Sequence, residues 1–73
     1  MQATQIQLTR LAASYKSITK EDVTCKQIDA TMYVFGSELA CLRLSYKMNL
    51  PEAKQPHLEY SENLSTWFLS FSL

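Results

Sequence analysis

The one histidine of the chain, His57, stands two residues before Glu59. On a β-strand both side chains would point to the same face, because successive side chains alternate. A histidine oriented by a carboxylate is the arrangement of a general base. However, the local sequence places no serine or cysteine to act as its nucleophile, and a surface histidine following Pro56 explains the same residues. We therefore predict that the protein is not an enzyme and has no catalytic residues.

The two cysteines, Cys25 and Cys41, are too few for a disulfide framework. No Cys-x-x-Cys or Cys/His set has the spacing of zinc ligands. A buried cysteine behaves as a small hydrophobic residue, and Cys41 falls on an apolar face of a predicted helix. We expect both thiols to pack in the core, with a redox role as the alternative.

Metal and cofactor sites are not expected from the remaining residues. Glu52, Glu59 and Glu62 could be considered as ligands of a hard cation, but such a site needs several converging oxygens, which this spacing does not indicate. Loops that cradle phosphates need several glycines, and the chain has only Gly36. The sequence therefore predicts no metal and no nucleotide cofactor.

Basic residues provide a candidate patch. Arg43 and Lys47 lie four residues apart on one flank of a predicted helix, and Lys16, Lys20 and Lys26 could extend the patch. The 7 basic residues are balanced by 7 acidic ones, so the formal net charge is zero. Because phosphate affinity increases with the number of cations engaged, nucleic-acid binding through these residues is the second hypothesis rather than the first.

Aromatic residues are concentrated near the C-terminus. Trp67 and Phe71 alternate with Phe68, so a strand here would carry rings on both faces. We expect Trp67 and Phe71 to fill the core, and Phe68 to be exposed with Tyr60 beside it, because exposed aromatic side chains are frequent anchors of interfaces. A terminal strand at a sheet edge would also offer backbone groups to another chain.

The elements that position these residues follow from periodicity. Apolar residues at helical spacing predict an amphipathic helix over 4–17. The β-branched and aromatic residues of 23–35 favour two strands with a turn near Asp29 and Ala30. The polar stretch 19–22 between them is either a turn or the cap of a second helix.

A competing pattern crosses the same region. Apolar residues at spacings of three and four predict a long helix over 20–48. Its seam would consist of Cys25, Ile28, Met32, Phe35, Leu39, Leu42 and Tyr46. Gly36 interrupts this seam at a cost of about 1 kcal/mol relative to alanine, and 23–34 is poor in helix formers. We keep this mostly helical fold as the alternative.

A central helix over 37–48 is predicted to begin at Ser37, a good N-cap residue. It has two nearly opposite apolar faces, so we expect it to be covered on both sides, by a sheet and by the first helix or another subunit. One face consists of Leu39, Leu42 and Tyr46, and the other of Ala40, Cys41, Leu44 and Met48.

The rest of the chain completes the expected fold. Residues 49–56 contain both prolines and are predicted to form a loop, followed by a hairpin over 57–72. A lone hairpin is only marginally stable, so it needs the strands of 23–35 as partners. The prediction is a single α+β domain over 1–73, with an antiparallel sheet of about four strands packed with the two helices.

These features together predict a small protein that acts by binding other proteins. A chain of 73 residues has a thin core, and neither disulfide nor metal supports it. No secretion signal is seen, and the apolar runs 32–35 and 67–69 are too short to span a bilayer, so we expect a cytoplasmic protein without membrane contact. The first hypothesis is a non-enzymatic regulator, adaptor or inhibitor that forms a homodimer. The expected interaction residues are Tyr60, Phe68, Arg43, Lys47, Cys41, Leu44 and Met48.

Overall fold

Four antiparallel strands form one sheet in the order β1-β2-β4-β3 in the computed structural model, which describes residues 4–48 and 56–72. Two helices, α1 and α2, complete the α+β fold that the sequence predicts. In chain order the elements are α1 (Gln5–Thr19), β1 (Thr24–Ile28), β2 (Thr31–Gly36), α2 (Glu38–Met48), β3 (His57–Ser61) and β4 (Thr66–Ser72).

The predicted turn between β1 and β2 is confirmed. Ile28 pairs with Thr31, so Asp29 and Ala30 alone connect the two strands. Asp29 has a φ of 53°, a left-handed conformation that aspartate tolerates better than most residues. The Gln27 side chain donates a hydrogen bond to the Asp29 carbonyl at 2.9 Å. This short connection brings strands from the middle of the chain into antiparallel pairing.

The C-terminal hairpin is also confirmed, but its last strand does not lie at an edge. β4 pairs with β3 on one side and with β2 on the other. Its backbone groups are therefore engaged on both sides, so this terminal strand is not at a sheet edge and does not offer unpaired backbone groups to another chain. The hairpin turn ends at Ser65, which has a φ of 52°. The edge strands of the sheet are β1 and β3.

Helix α1 is longer than predicted. Thr4 caps its first turn, with the Thr4 hydroxyl accepting from the Gln7 N–H and the Gln7 side chain accepting from the Thr4 N–H. This reciprocal pair is a capping box, which satisfies two backbone donors at the helix start. The helix continues to Thr19 and ends where Lys20 turns into a left-handed conformation with a φ of 65°. The polar stretch after it is a turn and not the cap of another helix.

Helix α2 begins as the sequence predicts. The Ser37 hydroxyl accepts a hydrogen bond from the Ala40 N–H at 3.1 Å and donates to the Glu21 carboxylate at 2.9 Å. Immediately before it, Gly36 ends β2 within close reach of neighbouring side chains. A Cβ at Gly36 would lie 3.0 Å from the Val23 Cγ1, so the absence of a side chain permits this approach.

The long helix over 20–48 is not formed. β1 and β2 occupy most of its first half, where the β-branched and aromatic residues pair across strands. The apolar seam is split between surfaces: Cys25 and Met32 are buried in the core, while Leu39 and Leu42 stay exposed. In β1 and β2 the spacing of three and four combines residues from both faces of the sheet, and only in α2 does it follow one face of a helix.

The core lies between the helices and one face of the sheet. Helix α1 packs on β1 and α2, and α2 packs on β2 and β4. The buried cluster consists of Cys25, Met32, Val34, Cys41, Leu44 and Leu69. Trp67 and Phe71 pack against it, as predicted for that side of the last strand. The predicted loop over 49–56 lies outside the described residues, except for Pro56.

A polar junction joins the end of α1 to α2. The fully buried Thr19 donates its hydroxyl to the Tyr15 carbonyl at 2.9 Å and accepts from the Glu21 N–H at 3.3 Å. The Thr19 carbonyl accepts from Arg43 Nη1 at 2.8 Å. Hydrogen bonds of this kind satisfy groups at a helix end that would otherwise be costly to bury. The orientation of α2 relative to α1 depends on this junction.

We predict that Ser37→Ala destabilises the fold by about 1 kcal/mol, which corresponds to a melting temperature about 4–8 °C lower for a domain of this size. The substitution removes both the cap of α2 and the hydrogen bond to Glu21. Thermal unfolding followed by circular dichroism measures the effect. Ser14→Ala is the matched control, because the Ser14 hydroxyl is exposed and bonds only within α1. Equal melting temperatures for the two variants would contradict the prediction.

Candidate interaction surfaces

In the part of the chain that the structure describes, the fold leaves two apolar surfaces exposed. The first, which we call the α2 groove, is lined by Ile18, Leu39, Leu42, Arg43, Tyr46 and Lys47. The second, which we call the outer sheet face, is the side of the sheet turned away from the helices. It carries Lys26, Tyr33, Phe35, His57, Glu59 and Phe68.

The α2 groove arises because α2 is apolar on two sides, as the sequence predicts. Ala40, Cys41 and Leu44 are buried against the sheet. On the other side, Leu39 is 51% exposed and Tyr46 is 88% exposed. Apolar side chains exposed on one helix face are a feature of interaction sites when they are rimmed by polar residues. The second face that was expected to be covered is open within a single chain.

Two cations form the rim of the α2 groove, whose volume is about 360 Å³. Arg43 and Lys47 are both exposed on α2, one helical turn apart. Arg43 is held in place by its hydrogen bond to the Thr19 carbonyl, a neutral acceptor that leaves the positive charge uncompensated. Among the described residues that line the groove, none is acidic. The site therefore combines an apolar floor with positive charge on one side.

The outer sheet face carries three aromatic rings in contact. The Phe68 ring centroid lies 5.9 Å from that of Tyr33 and 6.0 Å from that of Phe35. Tyr33 and Phe35 are themselves 6.4 Å apart, with an interplanar angle of 14°. All three side chains are partly exposed, and they contribute to a shallow groove of about 300 Å³. Rings in contact on the surface form a continuous apolar patch.

Tyr60 does not lie beside Phe68, which corrects the sequence-based expectation. In the β3–β4 register, Glu59 stands opposite Phe68 and Tyr60 stands opposite Trp67. Because alternate residues face opposite sides, Tyr60 lies on the helix side of the sheet. There its ring meets the Trp67 ring edge-on at 5.6 Å, and Tyr60 remains 46% exposed at the edge strand.

Three of the expected interaction residues lie on the inner side of α2. Cys41 and Leu44 are fully buried in the core of the same chain, and Met48 packs against that core. Burial raises the pKa of the Cys41 thiol. Burial also raises the pKa of the Cys25 thiol, to about 11. Both cysteines are free, and a thiol that stays protonated is a poor nucleophile.

The structure brings His57 and Glu59 together on the outer sheet face. The distance from His57 Nε2 to Glu59 Oε2 is 3.5 Å, and both side chains are about two-thirds exposed, at 66% and 60%. The buried thiols lie on the opposite side of the sheet, between it and the helices. The geometry therefore separates this pair from both cysteines.

The lysines expected to extend the basic patch are dispersed. Lys16 forms an ion pair with Asp22 at 2.9 Å. Lys20 ends α1, and Lys26 lies on the outer sheet face. Arg43 and Lys47 are therefore the two cations that share one apolar site.

The described residues contain neither a metal-binding cluster nor a membrane-spanning helix. Within residues 4–48 and 56–72, no group of three His, Cys, Asp or Glu side chains could hold a metal ion. None of the helices in this part of the chain is long and apolar enough to cross a membrane.

Comparison with known proteins found no family model, curated protein or solved structure that matches this chain. The candidate surfaces must therefore be interpreted from their own chemistry.

Sequence reasoning missed Tyr33 and Phe35 as members of a surface cluster. A signal was present, because both alternate with Met32 and Val34, which are buried. Alternation separates the two faces of β2, but it does not show which strand lies beside it. The pairing of β2 with β4, which places Phe35 opposite Phe68, provides that information.

We predict that the free energy of unfolding decreases as the pH rises from about 9 to about 11. The unfolded Cys25 thiol loses its proton near 9.0, whereas the folded thiol keeps its proton until about 11. In this window the unfolded state binds fewer protons, so this group lowers stability by up to about 1.4 kcal/mol per pH unit. Below about pH 9 the Cys25 thiol is protonated in both states, so its full contribution to the free energy of unfolding is present there.

Urea unfolding at several pH values between 8 and 11 measures this slope. The Cys25→Ala variant should be less stable at every pH but should show a shallower alkaline decrease. Part of the slope should remain, because burial also raises the pKa values of Tyr15 and Cys41. Identical slopes for the variant and the parent protein would show that the buried Cys25 thiol is not responsible.

Proposed function

We propose that the protein is a non-enzymatic protein–protein interaction module. It self-associates through another surface, and it binds a partner protein through the α2 groove. The observation that carries the proposal is the two-sided apolar character of α2. One side is buried in the core, while Leu39, Leu42 and Tyr46 on the other side are exposed next to Ile18. Burial of such side chains is the principal driving force of protein association.

The chemistry of the α2 groove favours a partner that is both apolar and acidic. Arg43 and Lys47 supply positive charge, and no acidic residue balances it in the lining that residues 4–48 and 56–72 provide. A segment with apolar side chains and neighbouring carboxylates would complement both features, as amphipathic helices do in hydrophobic grooves. A second copy of the chain fits less well, because symmetric packing of α2 on α2 would bring like charges together.

A regulator, adaptor or inhibitor in the cytoplasm is the role that we propose for such a module. The buried thiols with raised pKa values and the separation of His57 and Glu59 from both of them support a non-enzymatic role. Nucleic-acid binding through Arg43, Lys47 and the lysines at 16–26 is the less supported proposal. The dispersal of those lysines does not favour a continuous phosphate-binding surface.

Site-specific photo-crosslinking tests the proposal in the cells that make the protein. Tyr46 is replaced by a photoreactive phenylalanine analogue, which its 88% exposure should allow without loss of folding. We expect one discrete crosslinked product that contains a second protein and that disappears when Lys47→Glu is added. The same analogue at Ser14, on the exposed side of α1, is the control and should give no such product.

The mass of the product separates the possible outcomes. A product of twice 8.4 kDa would mean that the α2 groove binds a second copy, which would contradict the proposed partner. A nucleic-acid adduct would favour the second hypothesis. Equal crosslinking from Tyr46 and Ser14 would remove the support for an interaction site on α2.

A further inference from the structure

We infer that the outer sheet face is the interface of a symmetric homodimer in which two sheets pack face to face about a twofold axis parallel to their strands. The inference rests on the proposed self-association and adds its surface and its symmetry. It concerns the side of the molecule opposite to the α2 groove, so both surfaces can be occupied at once.

Two rows of residues on the outer sheet face run through all four strands, from β1 to β3. The first row is Lys26, Tyr33, Ser70 and His57. The second row is Thr24, Phe35, Phe68 and Glu59. In both rows the aromatic residues occupy the central strands and the charged residues occupy the edges.

The charges on this face select one mode of self-association. Within the four described strands, Lys26 is the only lysine or arginine and Glu59 is the only acidic residue. They lie on opposite edge strands, β1 and β3. A twofold axis parallel to the strands places β1 of one copy over β3 of the other, so that each Lys26 lies over the partner's His57 and one row away from the partner's Glu59. An axis across the strands would instead place β1 over β1, with each Lys26 close to the partner's Lys26.

The same twofold axis brings the aromatic side chains of the two central strands into contact across the interface. It places β2 of one copy over β4 of the other, so that Tyr33 and Phe35 meet the partner's Phe68. Sheets packed in this aligned way are about 10 Å apart and interdigitate their facing side chains. Lys26 and Glu59 lie in adjacent rows about 7 Å apart along the strands, which the long lysine side chain can span. The interface is isologous, because each contact occurs twice.

A single-stranded nucleic acid is the other occupant that an aromatic sheet face can take. Such surfaces combine stacking rings with a positively charged groove that follows the backbone. Here the one lysine is balanced by one glutamate, and His57 lies beside that glutamate. The charge pattern is therefore complementary to itself rather than to a polyanion.

Charge reversal tests the inference on the full chain, with sedimentation equilibrium measuring the dimer dissociation constant. Lys26→Glu and Glu59→Lys each place like charges in contact at both symmetry-related sites. Each single variant should weaken the dimer by about tenfold. The double variant, Lys26→Glu with Glu59→Lys, should restore it to within about twofold of the parent protein. Both residues are exposed, and melting temperatures check that every variant folds.

Leu42→Glu on the α2 groove is the matched control and should leave the dissociation constant unchanged. If the parent protein dimerises, equal constants for all charge variants together with loss of dimer in Leu42→Glu would overturn the inference while self-association stands. A parent protein that stays monomeric at millimolar concentration would overturn both, and the crosslinking of the α2 groove would still test the partner. Displacement of the dimer by an oligothymidylate would assign the face to nucleic acid instead.

Discussion

The packing of α2 against the central strands determines which surfaces this chain can offer to others. Ala40, Cys41 and Leu44 are buried against β2 and β4, and this contact uses one side of the helix and one side of the sheet. Two helices are enough to cover only that side of four strands. The remaining sides of both elements are apolar as well, so a small fold with a thin core exposes an aromatic sheet face and an aliphatic helix groove. The proposed interactions follow from this incomplete coverage.

The polar junction at the end of α1 gives the α2 groove its shape. The buried Thr19 hydroxyl closes the last turn of α1, and its carbonyl binds Arg43. The Glu21 carboxylate accepts a hydrogen bond from the Ser37 hydroxyl at the start of α2. Hydrogen bonds therefore hold this helix both at its start and near its middle. These bonds hold Ile18 beside the exposed side of α2 and fix one of the two cations at the rim. Arg43 therefore combines a structural role in the junction with the recognition role that we propose for it in the α2 groove.

Much of the fold could be predicted from local patterns, because each pattern has a direct physical cause. Serine is a preferred helix cap and aspartate tolerates a left-handed turn. The start of α2 at Ser37 and the first hairpin turn at Asp29 could therefore be predicted. The order of strands depends on contacts distant in the sequence, so the position of the last strand between β2 and β3 could not be predicted. Because the strand register was unknown, Tyr60 was predicted to lie beside Phe68. For the same reason, the contact of Phe68 with Tyr33 and Phe35 was not predicted. The two-sided α2 and the packing of the Cys41 thiol in the core were predicted, but burial of Leu44, which was expected in an interaction surface, was decided by packing.

We propose that a second copy of the chain covers the outer sheet face, which the helices leave exposed. Isotope-filtered nuclear Overhauser spectra of a sample that mixes labelled and unlabelled chains measure contacts between copies directly. We expect intermolecular contacts from the rings of Tyr33 and Phe35 to the ring of Phe68, and none from Leu39 or Tyr46. Intermolecular contacts confined to Leu39 and Tyr46, in a sample that sediments as a dimer, would contradict it.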